Sequence, residues 1–175
     1  MKSLEGSMKL RPLSLADESQ ALLAHSELAK DNFEFLLGYT EEMAWHEYLE
    51  ILENEATGTN LKEGRVPATF LIAESGGNLV GRTSIRHELN DFLFNFGGHI
   101  GYGIRPSYRR QGFATEVLRQ SLAYLREIGV TEVLVTCLDN NEGSKRVIES
   151  QGGLLENKVE YEGALWRRYW ITSGS

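Results

Sequence analysis

Apolar residues between positions 97 and 128 change from the spacing of a strand to that of a helix. Residues 99–104 have the short apolar character of a buried strand, and Pro106 ends it. From Gly112 onward apolar positions recur at helical spacing, which gives the predicted helix one face to bury. Those positions are Ala114, Val117, Leu118, Leu122, Leu125 and Ile128. We place the other elements around this strand, turn and helix.

Seven strands and four helices are predicted, in the order βααβββαβαββ. The strands start at Met8 and cover 69–73, 79–87, 98–104, 132–138, 154–161 and 164–171. The helices follow the candidate caps Ser14, Thr40, Gly112 and Asn141. This order predicts a fold of mixed α/β (α+β) class, with a central mixed sheet of about seven strands flanked by helices on both faces.

The segment from Glu88 to Phe96 is too apolar for a solvated loop, because it carries Phe92, Leu93 and Phe94 as well as Phe96. Two explanations remain open. The segment packs on the edge of the sheet, which we favour, or it lines a pocket.

The composition fits one globular domain. At 175 residues, 41% of them hydrophobic, the chain is long enough to bury a core. The single Cys137 excludes an internal disulfide, and no apolar run approaches the length of a membrane span. Residues 1–7 show no periodicity, so we expect a disordered leader or remnant there and one domain over 8–172. Without a secretion signal at the N-terminus, we expect a cytoplasmic protein.

The net charge of −7 argues against nucleic acid and anionic membranes as partners, because both would repel the protein at long range. The same charge weakly favours a cationic acceptor. Positive charge is nevertheless concentrated in the turn before the long helix, at Arg105, Arg109 and Arg110.

That turn is a candidate anion site. The first amides of a helix have no partner inside it and carry the positive end of the helix dipole. Gly112 lacks a Cβ, so a phosphate could approach the backbone closely, and Arg109 and Arg110 add charge. On this pattern alone, phosphate binding and an ordinary cap with solvated arginines remain equally open.

Two motifs resemble those of a known family, and the distance between them in the sequence also matches that family. Arg109-x-x-Gly112-x-Ala114 resembles the pyrophosphate loop of the GNAT superfamily, the Gcn5-related N-acetyltransferases. Downstream, Asn141-x-x-Ser144 resembles the Asn-x-x-Ala/Ser segment that opens the next helix of that superfamily. The resemblance extends over about residues 68–171, and it implies the GNAT fold, with acetyl-CoA as the cofactor.

The resemblance also implies which residues bind acetyl-CoA. The backbone from Tyr102 to Ile104 would bind the pantetheine, and the turn that opens the long helix would bind the pyrophosphate. Asn141 would lie at the far end of the pantetheine, near Ser144. The implied cofactor residues are Tyr102, Gly103, Ile104, Arg109, Arg110, Gln111, Gly112, Phe113, Ala114, Thr115, Asn141 and Ser144.

The sequence departs from the family at its two usual proton-transfer positions. Ile148 stands where many members place a tyrosine acid, and Thr136 where some place a glutamate base. Among the remaining candidates we favour His99 as the catalytic base, because it lies on the strand that the family splays open and an imidazole titrates near neutrality. A histidine with a purely structural hydrogen bond is the alternative.

Other chemistries fail on spacing. Gly98-x-x-Gly101-x-Gly103 is not a dinucleotide fingerprint, because the second spacing is wrong. Four scattered histidines and one cysteine predict no metal site.

These observations predict an acetyl-CoA-dependent N-acetyltransferase that moves the acetyl group directly to a primary amine in a ternary complex. The acceptor would be a small molecule or a peptide. A non-catalytic acyl-CoA sensor or interaction module is the alternative, since the usual tyrosine and glutamate are missing. The closing strands offer an edge at which a homodimer could form.

Overall fold

The computed structural model describes residues 8–173, so the leader predicted over residues 1–7 lies outside the described part of the chain. Seven strands in that part form one sheet, in the spatial order β1-β2-β3-β4-β5-β7-β6. The strands are β1 (Met8–Arg11), β2 (Ala68–Ser75), β3 (Asn78–Arg86), β4 (Ile100–Ile104), β5 (Glu132–Leu138), β6 (Leu154–Tyr161) and β7 (Ala164–Thr172). The helices are α1 (Glu18–Ala29), α2 (Trp45–Thr57), α3 (Phe113–Glu127) and α4 (Glu142–Ser150). The predicted element order and fold class are confirmed.

Strand alternation divides the core between the two faces of the sheet. Along β2, Phe70 and Ile72 belong to the cluster formed with α1 and α2, which we call the first face. Leu71 between them belongs to the cluster formed with α3 and α4, the second face, together with Leu118 and Ile148. Helices therefore cover both faces, as the sequence predicts.

The second helix begins later than predicted. It starts at Trp45 rather than directly after Thr40, so that predicted cap is wrong. The Glu47 carboxylate accepts a hydrogen bond from the Ala44 N–H at 3.2 Å, and the Trp45 indole donates to Ser14 O at 3.0 Å. Because Trp45 is buried against the preceding segment, tertiary packing fixes the start of this helix.

The sheet opens between its two parallel strands. β4 and β5 share one residue pair, Ile100 with Val135, whereas β4 pairs with β3 along its whole length. Just before that pair, the His99 N–H donates to Leu134 O at 2.7 Å. Beyond it the strands diverge, which leaves one edge of β4 without a neighbouring strand.

No helix among residues 8–173 combines the length and the apolar character that crossing a bilayer requires.

Candidate active site

A cleft of about 950 Å³ passes through the opening between β4 and β5. The starts of α3 and α4 line it on the second face, and residues that include Phe33 and Arg86 line it on the first. A smaller depression of about 260 Å³ lies beside α3 and the end of β7 and contains none of the predicted site residues. The large cleft is therefore the candidate site.

The start of α3 presents free amides to this cleft. Gly112 is the N-cap residue, with φ of 85°, and it has no side chain with which to cap the helix. The first helical bond inside this turn runs from the Glu116 N–H to Gly112 O, at 3.2 Å. The N–H groups of Phe113, Ala114 and Thr115 thus have no acceptor within the helix. Together with the helix dipole they form a site for an anion.

The open edge of β4 presents further backbone donors. In an antiparallel pair, every second residue of a strand hydrogen bonds to the neighbouring strand. Because the Arg86 N–H donates to His99 O at 2.7 Å, His99 and every second residue after it face β3, and the residues between them face the opening. The N–H groups of Tyr102 and Ile104 therefore point into the opening. The Ile104 carbonyl is already engaged, because it accepts from Arg109 Nε at 3.1 Å.

The start of α4 places a hydroxyl pair beside that edge. The Asn141 side chain accepts a hydrogen bond from the Ser144 N–H at 3.1 Å and so caps the helix. The Tyr102 hydroxyl lies 3.4 Å from Ser144 Oγ, to which it donates. Burial raises the pKa of Tyr102 to about 12, so the phenol stays protonated at neutral pH. Ser144 is then free to donate its own proton into the cleft.

The structure brings together all but one of the cofactor residues that the resemblance implies. The exception is Gln111, whose side chain donates to Ser107 O at 3.2 Å outside the cleft lining. The cleft is lined by Tyr102, Gly103, Ile104, Arg109, Arg110, Gly112, Phe113, Ala114, Thr115, Asn141 and Ser144.

His99 lies just before β4 and is 4% exposed. Its Nδ1 accepts a hydrogen bond from the Leu134 N–H at 2.9 Å, and its ring is not part of the cleft lining. Burial, and then the charge of Arg86, lower the pKa of His99 to about 4. A neutral imidazole in this position ties β4 to β5 where the two strands begin to diverge.

The two departures from the family pattern lie in different environments. Thr136 lines the cleft beside the opening, whereas Ile148 is fully buried in the core of the second face. Neither side chain can accept a proton from an ammonium group.

The basic cluster predicted from the sequence is only partly present. Arg105 forms a bidentate pair with Glu27, at 2.9 Å for both bonds, and is not part of the cleft lining. Arg109 and Arg110 do line the cleft, and Arg109 also contacts Asp31 at 3.0 Å. Arg146 of α4 joins them there. Arg146 was not predicted from the sequence, because only the packing of α4 beside α3 brings it to this site.

The segment from Glu88 to Phe96 packs on the edge strand β6, the explanation that we favoured, and it also lines the cleft, which was the alternative. A π-helical turn (Leu93–Gly97) carries Phe96 onto Tyr161, with ring centroids 4.6 Å apart. Phe92 contacts the same tyrosine at 5.6 Å. Both phenylalanines and Trp166 line the cleft on the first face.

The glycines of β4 allow close approach of two side chains from the first face. A Cβ at Gly103 would lie 2.6 Å from the Phe33 ring, and one at Gly101 would lie 3.3 Å from the Arg86 guanidinium. Larger residues here would displace those side chains from the cleft wall.

Within residues 8–173, no three His, Cys, Asp or Glu side chains gather in a way that could hold a metal ion.

Comparisons with solved structures show the same fold over nearly the whole chain. A GNAT-family acetyltransferase from Bordetella pertussis is 17% identical, with a TM-score of 0.70 over 95% of this chain and 96% of the other. RimJ from Mycobacterium smegmatis, solved with CoA-disulfide, is 20% identical, with a TM-score of 0.68 over 94% and 81%. The microcin C7 self-immunity acetyltransferase MccE, solved with acetyl-CoA and AMP, is 16% identical, with a TM-score of 0.68 over 98% and 97%.

No curated protein sequence matches the chain. A family model does, and it describes the acetyltransferase (GNAT) domain over residues 7–153. With that match, the fold and the cleft at the start of α3, we conclude that the chain belongs to the GNAT acetyltransferase family.

Proposed function

We propose that this acetyltransferase moves the acetyl group of acetyl-CoA directly to a primary amine while both are bound. One observation carries the proposal. A single cleft connects the free amides of α3 on the second face with an aromatic pocket on the first, through the opening between β4 and β5. Two substrates that enter from opposite faces can meet there without an acyl-enzyme step.

The residues present fit acetyl-CoA, which supplies the acyl group as an activated thioester. The amides of Phe113, Ala114 and Thr115 would bind the diphosphate, with Arg110 and Arg146 adding positive charge. The open edge of β4 would hydrogen bond to the pantetheine through the N–H groups of Tyr102 and Ile104.

Cys137 is the alternative nucleophile in the cleft lining, and its environment opposes that role. Burial raises the pKa of its thiol to about 11, so the reactive thiolate is scarce at neutral pH. This supports direct transfer over a covalent intermediate.

Proton transfer would rest on few groups. Ser144, which accepts from Tyr102, is placed to protonate the departing thiolate and so release it as the thiol. No imidazole lines the described cleft, and its one carboxylate, Asp31, is paired with Arg109 beside α3. We propose that the acceptor amine loses its proton to water. The catalytic role of His99 stays a prediction, and the geometry supports a positioning role instead.

An assay of thiol release separates the enzyme from the sensor alternative. Acetyl-CoA is incubated with the protein and a panel of primary amines. Free thiol should appear only when both substrates are present. Tight binding of acetyl-CoA without thiol release from any amine would favour the sensor.

Separate alanine substitutions of two glycines test the proposed cofactor site. Gly112 and Gly129 flank opposite ends of α3, and both have φ between 80° and 90°, at 85° and 89°. Alanine at either position should strain the backbone and cost about 1 kcal/mol of stability. Only Gly112→Ala should weaken acetyl-CoA binding measured by calorimetry, by about tenfold, because only Gly112 lies at the anion site. Equal affinity in both variants would contradict the proposed phosphate site.

A further inference from the structure

Arg86, which is half-buried, differs from the buried arginines in the number of its partners. Arg82 donates through Nε, Nη1 and Nη2 to backbone carbonyls at 2.8–3.0 Å. Arg105 pairs with Glu27, and Arg168 pairs with Glu156. Arg86 makes one long bond, from Nη1 to Gly97 O at 3.3 Å. Most of its five N–H donors have no acceptor in the described protein.

The guanidinium of Arg86 lies over Gly101, in the wall of the cleft on the first face. Burial lowers the pKa of Arg86 to about 10, and the charge of Arg65 acts in the same direction. The group still carries its positive charge at neutral pH. Arg86 is half-buried and forms no ion pair with a described residue, so an anion bound in the cleft would find a charged partner there.

A second unpaired donor lies in the same wall. The indole N–H of Trp166 is buried and has no hydrogen-bond partner within residues 8–173. Buried polar groups normally have hydrogen-bond partners. A ligand in the cleft could provide the acceptor that this indole N–H lacks.

The remainder of this pocket is aromatic, and its charge is opposite to that of the whole molecule. Phe92, Phe96 and Tyr161 form one contact cluster, and Phe33 stands over β4. Among the described residues that line the cleft, Asp31 carries the one carboxylate, and it lies at the end of the cleft beside α3. A polycationic acceptor would therefore meet Arg82 and Arg86 in this pocket, with no carboxylate to bind it.

We infer that the acceptor is an amine that also carries a compact oxyanion, a carboxylate or a phosphonate-like group, on an apolar or aromatic body. Arg86 binds the oxyanion, and Trp166 offers a further donor. This inference rests on the proposed function, because it names the class of amine that enters the same cleft.

A binding experiment tests the inference without requiring turnover. Phenylacetate, phenylphosphonate and the uncharged phenylacetamide are titrated into the CoA-saturated protein and followed by ligand NMR. Because hydrogen bonds to charged groups are worth about 1.5–3 kcal/mol, one of the anions should bind about tenfold or more tightly than the amide. The anion that shows the larger preference identifies the oxyanion as carboxylate or phosphonate.

Variants test whether Arg86 causes the preference for the anions over the amide. Arg86→Gln should abolish it, and Arg86→Lys should retain part of it. Arg65→Gln, which removes a nearby exposed charge outside the cleft lining, should leave it unchanged. Melting curves and CoA affinity report whether each variant is folded. Equal binding of anions and amide, binding of neither, or a preference that survives in folded Arg86→Gln would overturn the inference.

Turnover distinguishes the two proposals. Phenylalanine and phenethylamine share a ring and an amine and differ in the carboxylate. Thiol release from both at equal kcat/KM would reject the oxyanion site and leave the transferase intact. No thiol release from any amine, with anion binding still dependent on Arg86, would reject the transferase and leave the anion site.

Discussion

Ser144 is the residue on which the proposed proton transfer depends. The Asn141 side chain accepts from its N–H, and the Tyr102 hydroxyl donates to its Oγ, so the chain fixes its position and leaves its proton available. Ile148 stands where many family members place a tyrosine acid, and Thr136 where some place a glutamate base, and neither residue can serve in that role. The hydroxyl pair is visible only when β4 and α4 are placed side by side.

We expect Ser144→Ala to lower kcat by about a hundredfold, because loss of a positioned acid typically costs that much or more. The KM for acetyl-CoA should change little, since the backbone groups that we propose bind the cofactor remain. Ser150→Ala is the matched control: Ser150 ends the same helix, and its hydroxyl donates to Val147 O. Steady-state kinetics of both variants make the comparison. An unchanged kcat in Ser144→Ala would show that the thiol takes its proton from elsewhere.

At the scale of elements, the junction of β4 with β5 decides the shape of the cleft. One residue pair and the bonds of His99 hold the strands together, and the opening begins directly after them. The splay leaves the N–H groups of Tyr102 and Ile104 free. A parallel pair that continued further would have used those groups in the sheet and closed the cleft.

His99→Asn separates a structural role from a catalytic one. The pKa of His99 is lowered in the folded protein to about 4, from 6.5, so protonation favours the unfolded chain. The stabilising contribution of the neutral ring is complete above about pH 6.5 and is lost as the pH falls toward 4. Asparagine can still accept from the Leu134 N–H but does not titrate in this range. The stability difference between the two proteins, measured by urea unfolding, should therefore depend on pH within that window.

The same variant should retain most of its kcat at neutral pH. A kcat reduced on the order of a hundredfold or more in a stable His99→Asn protein would support His99 as the base.

At the scale of the whole molecule, charge is distributed unevenly. The chain carries a net charge of −7, yet the cleft contains Arg82, Arg86, Arg109, Arg110 and Arg146 against a single described carboxylate, Asp31. The weak preference for a cationic acceptor, inferred from net charge, therefore finds no support in the cleft. Net charge reports on solubility and long-range attraction, whereas the local field reflects which side chains the fold brings together.

The pH dependence of turnover should follow the acceptor rather than the protein. With no free carboxylate or imidazole in the described cleft, kcat/KM should rise with pH up to the pKa of the acceptor amine. Two acceptors whose amine pKa values differ by about two units should show inflections displaced by the same amount. One common inflection for both acceptors would reveal a base that belongs to the protein.

The sequence by itself determined the element order, the class of fold and the start of α3, because these depend on local properties: apolar periodicity, turn residues, and the backbone freedom of Gly112. Most of the residues that it predicted for the cofactor line the cleft, since they lie in two short segments around Gly112 and Asn141. The start of α2 was mispredicted, and the cleft-lining role of the segment from Glu88 to Phe96 was not the favoured explanation, because partners distant in sequence, Ser14 and Tyr161, determine them.

Only the tertiary structure decided the surroundings of Arg86, the turning of Arg105 toward Glu27, and the burial of His99 outside the cleft lining. Side-chain charge and pKa depend on neighbours brought together by the sheet and its covering helices, and no periodicity encodes those neighbours. For this reason the sequence indicated a candidate site for the acyl donor, whereas the side chains of the proposed acceptor pocket were identified only in the folded chain.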